Sequence, residues 1–134
     1  MWAGRHVVLG VSGGIACYKS CILARRLTEA GARVDVVLTR AAAEFVRPLT
    51  FEALTGRPVL TSLWEPDRAL AHVRLADAAD LVIVAPATAQ LLARAAQGFE
   101  IGHQVARLLA RTIRRAVEER GIAGHHRGRD DGAR

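Results

Sequence analysis

The sequence predicts an α/β protein with a doubly wound parallel sheet. Three observations carry that expectation. The chain opens on a strand–turn–helix–strand unit, a second run rich in valine and isoleucine lies at residues 81–87, and helical patterns separate the strand patterns. The 134 residues suit one domain, and 51% of them are hydrophobic. Only six are Phe, Trp or Tyr, so Val, Leu, Ile and Ala must build the core.

The elements follow in order. "RHVVLGV" (5–11) is a nearly unbroken apolar run, as in a strand buried on both faces. Ser12 then stands where a helix N-cap would, followed by Gly13 and Gly14. Residues 15–30 read as a helix, with Ile15, Tyr18, Ile22, Leu23 and Leu27 at helical spacing, and Gly31 as its terminating glycine. "RVDVVLT" (33–39) is a second strand, paired parallel to the first through the helical crossover. Residues 40–46 form a short helix stopped by Pro48, and 49–56 another that ends at Gly56. "PVLTSL" (58–63) is expected as a strand, 64–70 as a loop and 74–80 as a short helix. "LVIVAPA" (81–87) is the clearest buried strand after the first. Pro86 ends it, and a helix runs over 88–98.

The remainder differs in character. Residues 99–120 make an amphipathic helix, with Val105, Leu108, Leu109, Ile113 and Val117 on one face. Residues 121–134 hold too little apolar surface to pack and are expected to be disordered. The net charge is +6, and residues 1–98 and 99–134 contribute +3 each. Of the nineteen basic residues eighteen are Arg, a bias that points to GC-rich coding rather than to a nucleic-acid surface. No stretch reads as a signal peptide or is long enough to span a bilayer. Cys17 and Cys21 share a helix face but are too few for a structural zinc site, so no metal is expected. Without a disulfide framework, a cytoplasmic protein is expected.

The turn after the first strand has the makings of a phosphate loop. A dinucleotide fingerprint needs G-x-G-x-x-G and an acidic residue about 20 residues on. The glycines here are Gly10, Gly13 and Gly14, and the second strand ends in Thr39-Arg40, which excludes the usual NAD pattern and leaves NADP only through Arg40. Asp35 lies inside that strand, out of reach of a ribose. No G-x-x-x-x-G-K-[ST] is present, so a P-loop ATPase is excluded. A mononucleotide phosphate suits the turn better: the N–H groups of Gly13, Gly14 and Ile15 would face an anion at the helix N-terminus. Ser12, Thr39 and Thr88 follow the C-terminal ends of three strands, where ligands bind in open parallel sheets. Any one of them alone reads as a helix cap, but three together read as a site. His72 precedes the third of these strands. A lone histidine is more often structural or solvent-exposed, but this position is near the same crevice, where an imidazole can serve as a base near neutral pH.

"VLGVSGGIACYKS", "VDVVLTRAAAEFVRPLTFEALTGRPV" and "HVRLADAADLVIVAPATAQLLARAAQG", in that order, resemble the FMN-dependent cysteine decarboxylase family. Within it they are most similar to the flavoprotein half of bacterial phosphopantothenoylcysteine decarboxylase. The resemblance covers residues 5–98 and implies a Rossmann-like (flavodoxin-like) three-layer fold and FMN as cofactor. It implies that Ser12, Gly13, Gly14 and Ile15 bind the FMN phosphate region and that Thr39 hydrogen-bonds the nucleotide. It further implies that Pro86, Ala87, Thr88 and Ala89 contact the flavin and that His72 is catalytic. The implied activity is oxidative decarboxylation of a phosphopantothenoylcysteine-like thiol in coenzyme A biosynthesis, by a trimer-based homo-oligomer without nucleic-acid or membrane partners.

After Gly98 the family pattern ends. The resemblance leads one to expect a Pro-x-Met-Asn motif that grips the substrate carboxylate, a later cysteine and a second, ligase domain; none is read in these residues, and Gln90 stands where the family usually has Asn or Asp. The expectation is therefore a flavoprotein domain over 1–98 that is incomplete at its C-terminal side. Three origins of the remainder stay open: a truncated or frame-shifted reading frame, a short natural variant, or an arm for RNA or an acidic membrane. The alternatives to an active decarboxylase are an inactive FMN-binding or partner subunit and a nucleic-acid-binding module built on the basic tail.

Overall fold

The computed structural model describes residues 1–61, 74–75 and 77–96. Three strands, β1 (His6–Val11), β2 (Arg33–Leu38) and β3 (Leu81–Val84), form a parallel sheet in the order β2-β1-β3. The helices are α1 (Cys17–Glu29), α2 (Arg40–Phe45), α3 (Pro48–Thr55) and α4 (Ala89–Ala96). The doubly wound α/β expectation is borne out: the chain crosses from β1 to β2 through α1, and the strand order reverses at β1, a topological switch point.

The register explains the two faces of the sheet. Val8 lies beside Asp35 and Val82, and Leu9 beside Val36 and Ile83. Because side chains alternate along a strand, Val7, Leu9 and Val11 face one layer and Val8 the other. The first layer is closed by Cys17, Ala24 and Leu27 of α1, Ala42 of α2 and Phe51 of α3. The second gathers Val8, Val37 and Leu91 of α4, with Leu60, Leu75, Val82 and Val84 packed against them. All six residues of β1 are buried, as befits a central strand that reads as a continuous apolar run.

Several boundaries differ from those expected. The strand expected over 58–63 is a single parallel bridge, Leu60 to Val37, within the described residues. Pro58 has no N–H to donate, and the Val59 N–H is taken at 3.3 Å by the Glu52 carboxylate, so pairing begins only at Leu60. β3 is less buried than expected: Leu81 is 40% exposed, and Val82, Ile83 and Val84 are half-buried. No described strand pairs with its outer edge.

α1 does not bury all of the apolar residues whose spacing marks it as a helix. Its buried residues are Cys17, Ser20, Ala24 and Leu27. Ile15, just before the helix, and Tyr18 and Ile22 within it form a separate outward stripe, 79%, 54% and 47% exposed. Small side chains bring the helix close to the sheet, and the bulky ones are turned away. Gly31 does end the helix as expected: its φ of +89° is costly for any other residue, and its N–H donates to the Thr28 carbonyl at 3.0 Å.

Asp35 is inside its strand, as expected, and buried with partners. Its carboxylate meets His6 Nε2 at 2.6 Å and accepts from Arg57 Nε at 2.6 Å. The His6 Nδ1–H donates to the Ala78 carbonyl at 3.1 Å, and the His6 main-chain N–H donates to Asp80 at 2.7 Å. This network ties the start of β1 to the segments that precede β3 and follow α3. The expected helix 99–120 and the tail 121–134 lie outside the described residues.

Candidate functional site

At the C-terminal ends of the three strands, residues 12–16, Thr39 and residues 85–89 come together. The Ser12 N–H donates to the Pro86 carbonyl at 3.4 Å, and the Ser12 hydroxyl donates to the same oxygen. The Thr39 N–H donates to the Val11 carbonyl at 3.0 Å, and the Ala85 N–H to the Gly10 carbonyl at 2.9 Å. Gly13 lies so near the start of α2 that a Cβ on it would stand 2.6 Å from the Cβ of Ala41. Three strand ends therefore share one small surface, as the hydroxyl pattern of the sequence leads one to expect.

Ser12 is not the helix cap it was expected to be. α1 begins at Cys17, its N-cap is Ala16, and no side chain caps it. Ser12 instead bonds across the sheet to Pro86, while the Cys17 thiol donates to the Ser12 carbonyl at 3.1 Å. The physical reason is the loop: residues 13–16 leave the strand before helical hydrogen bonding starts, and the Cys17 N–H returns to the Gly14 carbonyl at 3.1 Å. Among the described residues, no acceptor meets the N–H groups of Gly13, Gly14 or Ile15. A Cβ on Gly14 would meet nothing within 4 Å. Unpartnered amides at a helix N-terminus, with open space beside Gly14, are the donor set that an anionic phosphate requires.

Thr39 and Thr88 each cap a helix and keep a hydroxyl proton. Thr39 Oγ1 accepts from the Ala42 N–H at 3.1 Å and so caps α2. Thr88 Oγ1 accepts from the Leu91 N–H at 3.1 Å and begins α4 in the same way. In both, the oxygen accepts and the hydroxyl proton remains to be donated to a ligand. Pro86 and Thr88 are half-buried, whereas Ala87 and Ala89 are exposed. Capping and ligand binding are thus compatible, and the donor chemistry fits a nucleotide phosphate. His72 lies outside the described residues.

One participant escapes sequence reading. The Ser20 hydroxyl donates to the Ala85 carbonyl at 2.5 Å from the buried face of α1. Its only sequence signal is the stripe of small residues Cys17, Ser20 and Ala24, which an apolar count passes over. Nearby, burial and then the neighbouring Cys17 push the Cys21 thiol upward from its ordinary value, so it stays protonated at neutral pH. Among the described residues no group of three His, Cys, Asp or Glu is placed to hold a metal, and no helix is long and apolar enough to cross a membrane.

Comparison with known proteins decides the family. The model of the Flavoprotein family matches residues 1–119. The chain belongs to the Flavoprotein family. That match bears out the expected resemblance and the flavin cofactor, and it extends past Gly98, where the sequence leaves the expected pattern. The Coenzyme A biosynthesis bifunctional protein CoaBC of Vibrio cholerae is 55% identical over 98 residues, covering 72% of this chain and 25% of the relative. Its counterpart in Mycobacterium tuberculosis is 56% identical over 94 residues, covering 70% and 22%. The chain thus spans about a quarter of the length of these curated relatives. Among solved structures, the FMN-dependent cysteine decarboxylase SpaF superposes with a TM-score of 0.69 at 30% identity, covering 82% of this chain and 65% of that one. MrsD from Bacillus sp. HIL-Y85/54728 superposes with a TM-score of 0.71 at 21% identity, covering 83% and 63%, a likeness of fold.

Proposed function

We propose that this chain is an FMN-binding unit of the phosphopantothenoylcysteine decarboxylase type, working in the cytoplasm in coenzyme A biosynthesis. The observation that carries the reading is the convergence of the free amides of Gly13, Gly14 and Ile15 with the Thr39 and Thr88 hydroxyls at the switch point of the sheet. The CoaBC relatives supply the pathway.

In this reading the amides of residues 13–15 hold the FMN phosphate, with Ser12 fixing the loop that carries them. Thr39 and Thr88 donate hydrogen bonds to the nucleotide, and Pro86, Ala87 and Ala89 pack beside the ring. When bound, FMN supplies the oxidant that accepts a hydride from the cysteine-derived end of a thiol substrate. The His72 imidazole accepts a substrate proton. The outward stripe Ile15, Tyr18 and Ile22 supports the expected homo-oligomer, because a second copy of the chain would take that apolar surface from water.

The test is direct. The purified protein should be yellow and, under anaerobic conditions, release carbon dioxide from phosphopantothenoylcysteine. His72→Asn should abolish turnover and leave FMN bound; turnover by that variant would remove His72 from its role. A yellow protein that releases no carbon dioxide would favour the inactive FMN-binding subunit.

A further inference from the structure

Ser20 is 2% exposed and sits within the body of α1, past the loop that ends at Ala16. A helical serine commonly bonds back to the carbonyl of the preceding turn. This one crosses to the Ala85 carbonyl, 65 positions away in the chain. The next carbonyl along, that of Pro86, takes both the N–H and the hydroxyl of Ser12. Two consecutive carbonyls of the 85–89 turn are therefore held by two serines of one loop–helix unit. Ser12 belongs to the loop whose amides face the phosphate; Ser20 does not. The packing of α1 against the sheet does not need the hydroxyl, since Cys17 and Ala24 on the same stripe make apolar contacts. Replacing Ser20 by alanine would leave the helix seated and the Ala85 carbonyl without its donor.

We propose that Ser20 is a positioning residue for the cofactor: it sets the Ala85–Ala89 turn against the flavin ring, separately from the loop that holds the phosphate. The inference rests on the FMN reading above. It makes α1 a coupling element that reports to both ends of the ligand, with its N-terminus at the phosphate and its buried face under the ring-contacting turn.

The experiment uses the full chain with FMN. Ser20→Ala should raise the Kd for FMN about 5- to 10-fold, the effect of one lost buried hydrogen bond, and should alter the visible circular dichroism band of the bound flavin. Ser20→Cys, close in size and a weaker donor, should fall between alanine and the unaltered chain on both readouts. A Ser20→Ala chain that melts lower without ligand, yet binds FMN with unchanged Kd and band shape, would assign Ser20 to stability alone and overturn the proposal. An unaltered chain that takes up no FMN would overturn the FMN reading and this inference together. An unaltered chain that binds FMN beside an indifferent Ser20→Ala would overturn only the inference.

Discussion

Gly13→Ala isolates the packing that holds the candidate loop in place. The added Cβ would stand 2.6 Å from the Ala41 Cβ and 3.1 Å from the Ala41 carbonyl carbon. Carbon atoms prefer roughly 3.5–4.0 Å, so about 1 Å of movement is required. Neither neighbour can swing aside, because a Cβ and a backbone carbon move only with α2 itself. Gly13 does not have a positive φ, so the cost is steric rather than torsional. Overpacking of this kind costs about 1–3 kcal/mol, which for a domain of this size lowers Tm by roughly 3–12 °C. The assay is thermal unfolding of the ligand-free protein, with Ala41→Gly as the partner in a double-mutant cycle. Ala41→Gly alone should cost less than about 1 kcal/mol through helix propensity, because Ala41 lies in the first turn of α2. On the Gly13→Ala background it should instead recover stability, giving a favourable coupling of at least about 1 kcal/mol. Gly14→Ala, whose Cβ would meet open space, should stay within about 0.5 kcal/mol of the unaltered chain. A Gly13→Ala chain as stable as Gly14→Ala, or no rescue by Ala41→Gly, would refute the close approach of the loop to α2.

Further outcomes follow from the same structure. Asp35→Ala should destabilise the protein by roughly 3 kcal/mol in chemical denaturation, because it strips a partner from buried His6 and from Arg57; a loss below about 1 kcal/mol would deny the network its structural weight. If the proposed homo-oligomer forms through the outward face of α1, Ile22→Glu should shift it toward monomer in analytical ultracentrifugation without lowering the helical circular dichroism signal; an unchanged assembly would place the interface elsewhere.

Much of the fold was legible because its signals are local. The valine runs of β1 and β2 need no partner to be recognised, and Gly31 and Gly56 end their helices through backbone conformations that glycine alone adopts easily. The convergence of the candidate site was legible as a pattern of hydroxyl and glycine turns after strands. What was missed depends on tertiary context. Of the five apolar positions whose spacing marks α1 as a helix, Leu27 is buried and Leu23 half-buried, but Ile15, Tyr18 and Ile22 face outward, because the helix approaches the sheet through Cys17, Ser20 and Ala24. Ser12 resembles a cap in sequence, but its bond to Pro86 joins segments 74 positions apart, beyond any local rule. The burial of β3 was overstated because an apolar strand reads alike whether or not a neighbour covers its edge, and no described strand pairs with its outer edge.

In the proposed reading the amides of residues 13–15 hold the phosphate of FMN, while Thr39 and Thr88 donate to the nucleotide. Parallel fluorescence titrations of the full chain with FMN and with riboflavin test it most directly, since the two ligands differ only in that phosphate. Two or more charge-assisted hydrogen bonds, each contributing about 1.5–3 kcal/mol, should make FMN bind at least about 100-fold more tightly. Equal affinity for the two ligands, or quenching of neither, would contradict the account.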